Sequence, residues 1–252
     1  MDLFTALLLG LVQGFCEFLP VSSSGHIALL SRISGQTSSL AFSLVLHLAT
    51  ALAVIVFYRA KLWQIVKKPF CPTTLNLILA TAVSGVVAIL LKPFAESLFD
   101  GYSLAPFFLV TATLLTVSHF FCAKNTGKIT PLNSLVIGIG QGLAVFPGLS
   151  RSATTVSTAR FLGVDKDESV DFCFLLSLPI IIGSALVELI GSPIAVFDFP
   201  ALIVGFISAL VSGLISLKFI KSAFGDKSVY FIVYLVVLSV VITLNDCIFH
   251  IF

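Results

Sequence analysis

Charge is what this sequence has least of. Only 10% of its 252 residues are Asp, Glu, Lys or Arg, against roughly a quarter in a soluble globular domain, so a water-facing surface of ordinary composition is excluded. The five cysteines (Cys16, Cys71, Cys122, Cys173, Cys247) are odd in number and show no CxxC or Cys/His ligand spacing. That argues against a disulfide framework and against a zinc site. The formal net charge of +2 is too small to suggest a nucleic-acid partner. No basic residue precedes the first apolar run, MDLFTALLLGLVQG, and polar residues stand where a signal-peptide cleavage site would lie. The segment is therefore expected to be retained.

What the chain has is oil: 58% hydrophobic residues, 24 of them Phe, and a mean hydropathy of +1.13. Six stretches, about 39–58, 73–91, 104–123, 170–190, 200–221 and 228–247, are long and apolar enough to cross roughly 30 Å of hydrocarbon. Two further apolar regions, 1–33 and 131–162, are interrupted by PVSSSG and FPGLSRS, clusters that break a helix. Each reads as two short helices joined by a loop. Irregular backbone at membrane depth is tolerated only when buried in protein or lining a wet cavity, so both are candidate re-entrant hairpins. The fold class is an all-α integral membrane protein, one domain over 1–252, with six transmembrane helices and two re-entrant hairpins. With this span list Arg59, Lys61, Lys67, Lys68, Lys124, Lys128, Arg160, Lys166, Lys218, Lys221 and Lys227 fall on one side, and Arg32 and Lys92 on the other. Basic residues favour cytoplasmic loops, which puts both termini outside.

The two interrupted regions are copies of one pattern. At an offset of 128, QGFCEFLPVSSS (Gln13 to Ser24) lies over QGLAVFPGLSRS (Gln141 to Ser152), with five identical positions. Two residues further out of register, FSLVLHL (Phe42 to Leu48) lies over FCFLLSL (Phe172 to Leu178). The offset is half the chain, so repeat one covers 1–126 and repeat two 127–252. An odd number of crossings in each half inverts the second copy, and such repeats bring broken-helix loops together near the midplane. There the helix N-termini offer N–H groups and positive dipole ends to an anion.

An ionised side chain within a span costs at least about 3 kcal/mol on insertion scales, so Glu17 in the first hairpin and Arg151 in the second are functional candidates by default. The repeat register sets Arg151 over Ser23. Arginine is suited to bidentate recognition of phosphate or carboxylate. Gln13 and Glu17 are four apart on one helical face, where a carboxylate and an amide can share a divalent cation or orient a water. Ser22, Ser23, Ser24 and His26 hold the ingredients of a nucleophile and its base. In the second loop Ser150, Ser152, Thr154 and Thr155 surround Arg151 with hydroxyls. One carboxylate, one guanidinium, several hydroxyls and two helix starts suit a phosphoryl group.

Blander roles compete. Serine and glycine are common packing residues in membrane helices, and either charge could serve exposed backbone at a helix break. His47 reads first as a packing or backbone-bonded histidine. His119 and His250 lie near span ends, Glu188 is placed to snorkel, and DKDE (Asp165 to Glu168) reads as a solvated helix start.

EFLPVSSSGH (Glu17 to His26) together with PGLSRSATT (Pro147 to Thr155) resembles the bacterial undecaprenyl-diphosphate phosphatases of the BacA/UppP type, the bacitracin-resistance proteins, as does FLLSLPIIIG (Phe174 to Gly183). The resemblance covers most of the chain. It implies an inner-membrane hydrolase with its site toward the outer, periplasmic face. It would remove the terminal phosphate of undecaprenyl diphosphate, regenerating the carrier for peptidoglycan and other envelope polymers. It assigns catalytic roles to Glu17, Ser23, His26 and Arg151. Substrate contacts fall to Gln13, Ser22, Ser24, Gly148, Ser150, Ser152 and Thr155, and a divalent cation, Mg or Ca, to Glu17. The partners are then the lipid substrate and membrane lipid, with a homodimer left open. Many members carry Glu where this chain has Gln13, and GAT where it has ATT after SRS. On this reading Ser23 attacks phosphorus with His26 as its base; in a variant, water attacks and Ser23 only positions. Lipid phosphatases of the PAP2 type are disfavoured, because no KxxxxxxRP segment occurs. A lipid transporter or flippase of the same architecture is the rival from another functional class.

Overall fold

The computed structural model describes residues 2–34, 40–99, 104–122, 126–191 and 198–249. The expectation for His250, and that for the Glu188 side chain, lie outside the described residues. The helices are α1 (Leu3–Phe18), α2 (Ser23–Ser34), α3 (Leu40–Phe57), α4 (Arg59–Lys67), α5 (Pro72–Phe99), α6 (Leu104–Phe121), α7 (Pro131–Leu143), α8 (Arg151–Phe161), α9 (Lys166–Gly191), α10 (Phe199–Ala223) and α11 (Ser228–Leu244). A single π-helical turn, Asn245–Phe249, follows α11.

The protein is a multi-pass, all-α membrane protein. Helices α5, α6, α9, α10 and α11 are each long and apolar enough to span, and α3 joins them when counted with its bent continuation. These are the six expected spans. Their outward faces carry large exposed apolar side chains, such as Ile89 and Leu90 on α5, Phe121 on α6 and Ile203 on α10. In water such a surface would aggregate; in a bilayer it is the lipid contact. Helix α9 begins earlier than hydropathy alone expects, because the Asp165 carboxylate accepts from the backbone N–H of Asp167 and Glu168 and caps it. DKDE is therefore a helix start, as read from the sequence.

One helix was not foreseen. Residues 59–67 form α4, which leaves α3 at an angle of 76°. Leu62 and Ile65 pack against the core and hold it there, although four basic residues in and just after it make the stretch read as a loop.

Helices α1 and α7, the first arm of each hairpin, are gripped by the opposite half. α1 packs along α10, and α7 along α5. Both contacts are made without side chains in the way. A Cβ on Gly10 or Gly14 of α1 would collide with Ser208 or Ser212 of α10, and one on Gly138 or Gly142 of α7 with Ala80 or with Ser84 and Val87 of α5. The two glycine pairs are 128 residues apart, and so are Ala80 and Ser208, and Ser84 and Ser212. The packing thus repeats at the offset found in the loops, and it uses the small-residue approach that membrane helices favour.

Candidate active site

The two hairpin loops meet because the same local chemistry opens each helix. Helix α1 ends at Leu19, held extended at φ −65° and ψ 149° as a residue before proline must be. Ser22 sits at φ 69°, a left-handed conformation uncommon for a non-glycine residue, and its Oγ accepts from the Gly25 N–H at 3.3 Å to cap α2. Ser150 does the same for α8, accepting from the Ala153 N–H at 3.3 Å. Each cap also touches the hydroxyl two residues on, Ser22 with Ser24 at 3.3 Å and Ser150 with Ser152 at 3.1 Å. Gly148, at φ 87°, takes a turn that a side chain would strain.

Between the loops lies the ion pair. Arg151 Nη2 donates to Glu17 Oε1 across 134 residues of sequence. The other carboxylate oxygen, Oε2, accepts from Ser23 Oγ at 2.6 Å and from Gln13 Nε2 at 3.1 Å. Glu17, Gln13 and Ser23 are buried, and Arg151 is partly open. A small cleft runs beside the pair, lined by Glu17, Arg151, Ser152 and Thr155, with Ser177 and Phe174 from α9 opposite. Ser152 Oγ ties the loops together by donating to the Leu19 carbonyl at 3.2 Å, and Thr155 Oγ1 donates to the Arg151 carbonyl at 2.9 Å.

Four of the expected residues therefore converge: Gln13, Glu17, Ser23 and Arg151. Ser22, Gly148 and Ser150 shape the loops, Ser152 and Thr155 line the cleft, and Ser24 stands at the exposed side of its cap. His26 is arranged differently from the expected serine base. Its Nδ1 faces the Ser22 carbonyl at 2.7 Å and its Nε2 the Tyr234 hydroxyl at 2.6 Å. A carbonyl only accepts, so Nδ1 carries the proton, and in the neutral ring Nε2 accepts from Tyr234. Tyr234 also stacks on the imidazole, with ring centroids 5.7 Å apart. The group hydrogen-bonded to Ser23 is Glu17, because the carboxylate is reached along one helical face while the imidazole is held toward α11.

Two contributors carry no local sequence signal. Tyr234 is one hydroxyl in an apolar span. Thr111 on α6 pins the second loop, accepting from the Ser150 N–H at 3.0 Å and donating to the Gly148 carbonyl at 3.2 Å. His47 is backbone-bonded, Nδ1 to the Ser43 carbonyl at 2.8 Å. His119 bonds Ser228 at 2.7 Å and joins α6 to α11.

A divalent cation can be weighed against these donors. Gln13 Oε1 is buried with no hydrogen-bond partner among the described residues, and it lies on the same amide that touches Glu17. An amide oxygen and a carboxylate are hard ligands of the kind Mg or Ca takes. Among the described residues no cluster of three or more His, Cys, Asp or Glu could hold a metal. A cation held by this pair would take its other ligands from a phosphate-bearing substrate and water. All five cysteines are free thiols.

Comparison with known proteins places this geometry in a family. Similar proteins are the undecaprenyl-diphosphatases of Carboxydothermus hydrogenoformans, 36% identical over 96% of this chain and 97% of its own length, and of Methanobrevibacter smithii, 34% identical over the whole of both chains. That of Christiangramia forsetii is 38% identical over 86% of this chain and 87% of its own. The model of the family described as bacitracin resistance protein BacA matches residues 6–241, a range that contains both loops, both grips and the ion pair. The chain belongs to the bacitracin resistance protein BacA family.

Proposed function

We propose that this protein hydrolyses the terminal phosphate of undecaprenyl diphosphate at the Glu17–Arg151 site, returning undecaprenyl phosphate to envelope polymer synthesis. The observation that carries the reading is that the carboxylate of one hairpin holds both the guanidinium of the other and the hydroxyl of Ser23. The names of the relatives support a phosphatase over a lipid carrier.

The diphosphate head docks on the open side of Arg151, at the mouth of the cleft, with its polyprenyl tail in lipid. Arg151 uses one N–H on Glu17 and has four more for phosphate oxygens, and α2 and α8 both begin at the site and direct backbone N–H groups toward it. A divalent cation, with Glu17 and Gln13 Oε1 as its protein ligands, would supply further charge neutralisation. Ser23 Oγ bonds to the terminal phosphorus, its proton passes to Glu17, and the bond from that phosphorus to the bridging oxygen breaks. Undecaprenyl phosphate leaves. Water then attacks the phosphoserine, the Oγ–P bond breaks, and Ser23 recovers its proton from Glu17 as inorganic phosphate is released. His26, fixed by Ser22 and Tyr234, borders the loop and orients it from the α11 side. The site faces the periplasmic side of the inner membrane in this reading, because the basic loops lie at the other end.

Detergent-purified protein should release one inorganic phosphate per farnesyl diphosphate, and 32P from the terminal position should be trapped on Ser23 in single-turnover quench. No release would remove the phosphatase reading. Release without label on Ser23 would leave direct attack by water.

A further inference from the structure

Helix α4 is the bent continuation of α3 and belongs to neither hairpin. With α3 taken as crossing the bilayer, the 76° bend between the two helices sets α4 close to the membrane plane. Its inward face, Leu62 and Ile65, is packed on the core. Arg59, Trp63, Val66 and Lys67 follow at i, i+4, i+7 and i+8 and share an exposed face. Trp63 is 61% exposed and Val66 67%, and Phe70, just beyond the helix, is 85% exposed.

The two charges on this face, Arg59 and Lys67, are both positive. Between Glu17 and Glu96 the sequence contains no Asp or Glu. Lys61 turns inward to Asp171 of α9, and Lys68 lines the same inner pocket with Asp165, Glu168 and Asp171, but Lys67 meets no carboxylate among the described residues. The Lys67 ammonium lies 5.3 Å from the centre of the Trp63 ring instead. An aromatic ring flanked by unpaired cations on a helix lying flat is the arrangement of a membrane-interface helix: the ring rests at headgroup depth, and the ammonium groups reach phosphate.

We infer that α4 is a docking surface for anionic phospholipid headgroups, formed by Arg59 and Lys67 around the exposed ring of Trp63. The occupant is lipid because the apolar and basic residues share one face parallel to the bilayer, where a soluble partner would have to displace headgroups. Each basic residue near an anionic surface adds about 1 kcal/mol, so local enrichment of anionic over zwitterionic lipid is the expected consequence. The site is independent of the phosphatase reading.

Trp63 is the only tryptophan in the chain, so the native protein carries its own probe. Wild-type protein is reconstituted in phosphatidylcholine vesicles containing a minor fraction of either phosphatidylglycerol or phosphatidylcholine with brominated acyl chains, and Trp63 fluorescence is read. Brominated phosphatidylglycerol should quench with an apparent local concentration at least about threefold above that of brominated phosphatidylcholine. Arg59→Gln/Lys67→Gln, which alters no packed residue, should bring the ratio to about one, as should half-molar salt. Equal quenching by the two lipids in wild type overturns the headgroup preference. No quenching by either overturns the lipid contact altogether and assigns the face to a protein neighbour, such as a second copy of the chain.

Discussion

At the scale of single residues, the site depends on geometry more than on charge. Arg151→Lys keeps the cation but loses the planar fork, so phosphate release should fall by about 100-fold or more with the protein still folded, as checked by steady-state assay. Activity within a few-fold of wild type would remove Arg151 from the site. Tyr234→Phe keeps the ring that stacks on His26 and deletes only the hydroxyl bonded to Nε2. One neutral hydrogen bond corresponds to up to about tenfold in rate, and that is the expected loss in kcat, with thermal stability unchanged. Glu17, Ser23 and Arg151 were legible in the sequence because a charge or a serine run inside an apolar segment is costly and therefore conspicuous. The partner of Ser23 was not. Sequence proximity favoured His26, three residues away, whereas the helical rise sets Glu17 beneath the loop and His26 toward α11. Thr111 and Tyr234 were illegible because each is one of several hydroxyls in its span, and its importance comes from a long-range contact.

At the scale of elements, α1 and α7 are placed by what they lack. Gly14→Leu would drive a side chain into Ser212 Oγ and the Ala209 carbonyl, and overpacking of this kind costs about 1–3 kcal/mol. A lowered unfolding midpoint in detergent is the expected result, with the same substitution at Gly85, where nothing lies within 4 Å of an added Cβ, as the control. The GxxxG spacing at 10–14 and 138–142 is visible in the sequence, but which helix it faces is not. The spans themselves were legible from hydropathy, and their starts less so, since Asp165 decides where α9 begins. Helix α4 escaped because its basic residues mask two core contacts, Leu62 and Ile65, that only tertiary packing reveals.

At the scale of the whole molecule, the packing of α1 on α10 and of α7 on α5 recurs at the 128-residue offset, as two copies of one pattern would give. The proposed orientation puts Cys71, between α4 and α5, in the cytoplasm. Its thiol is shifted below the ordinary range by hydrogen bonding with Thr74, so a larger share is thiolate near neutral pH and it labels readily. In a variant with Cys71 as the only cysteine, a membrane-impermeant maleimide should label inverted vesicles and spare intact cells; the reverse pattern would invert the topology. The central claim, that one hairpin's carboxylate and the other's guanidinium act as a single unit on one diphosphate, is tested by phosphate release from Glu17→Gln, Arg151→Lys and the double variant. Groups acting together are non-additive, so the double variant should be no slower than the slower single one. Losses that multiply would show the two residues working independently and contradict the account.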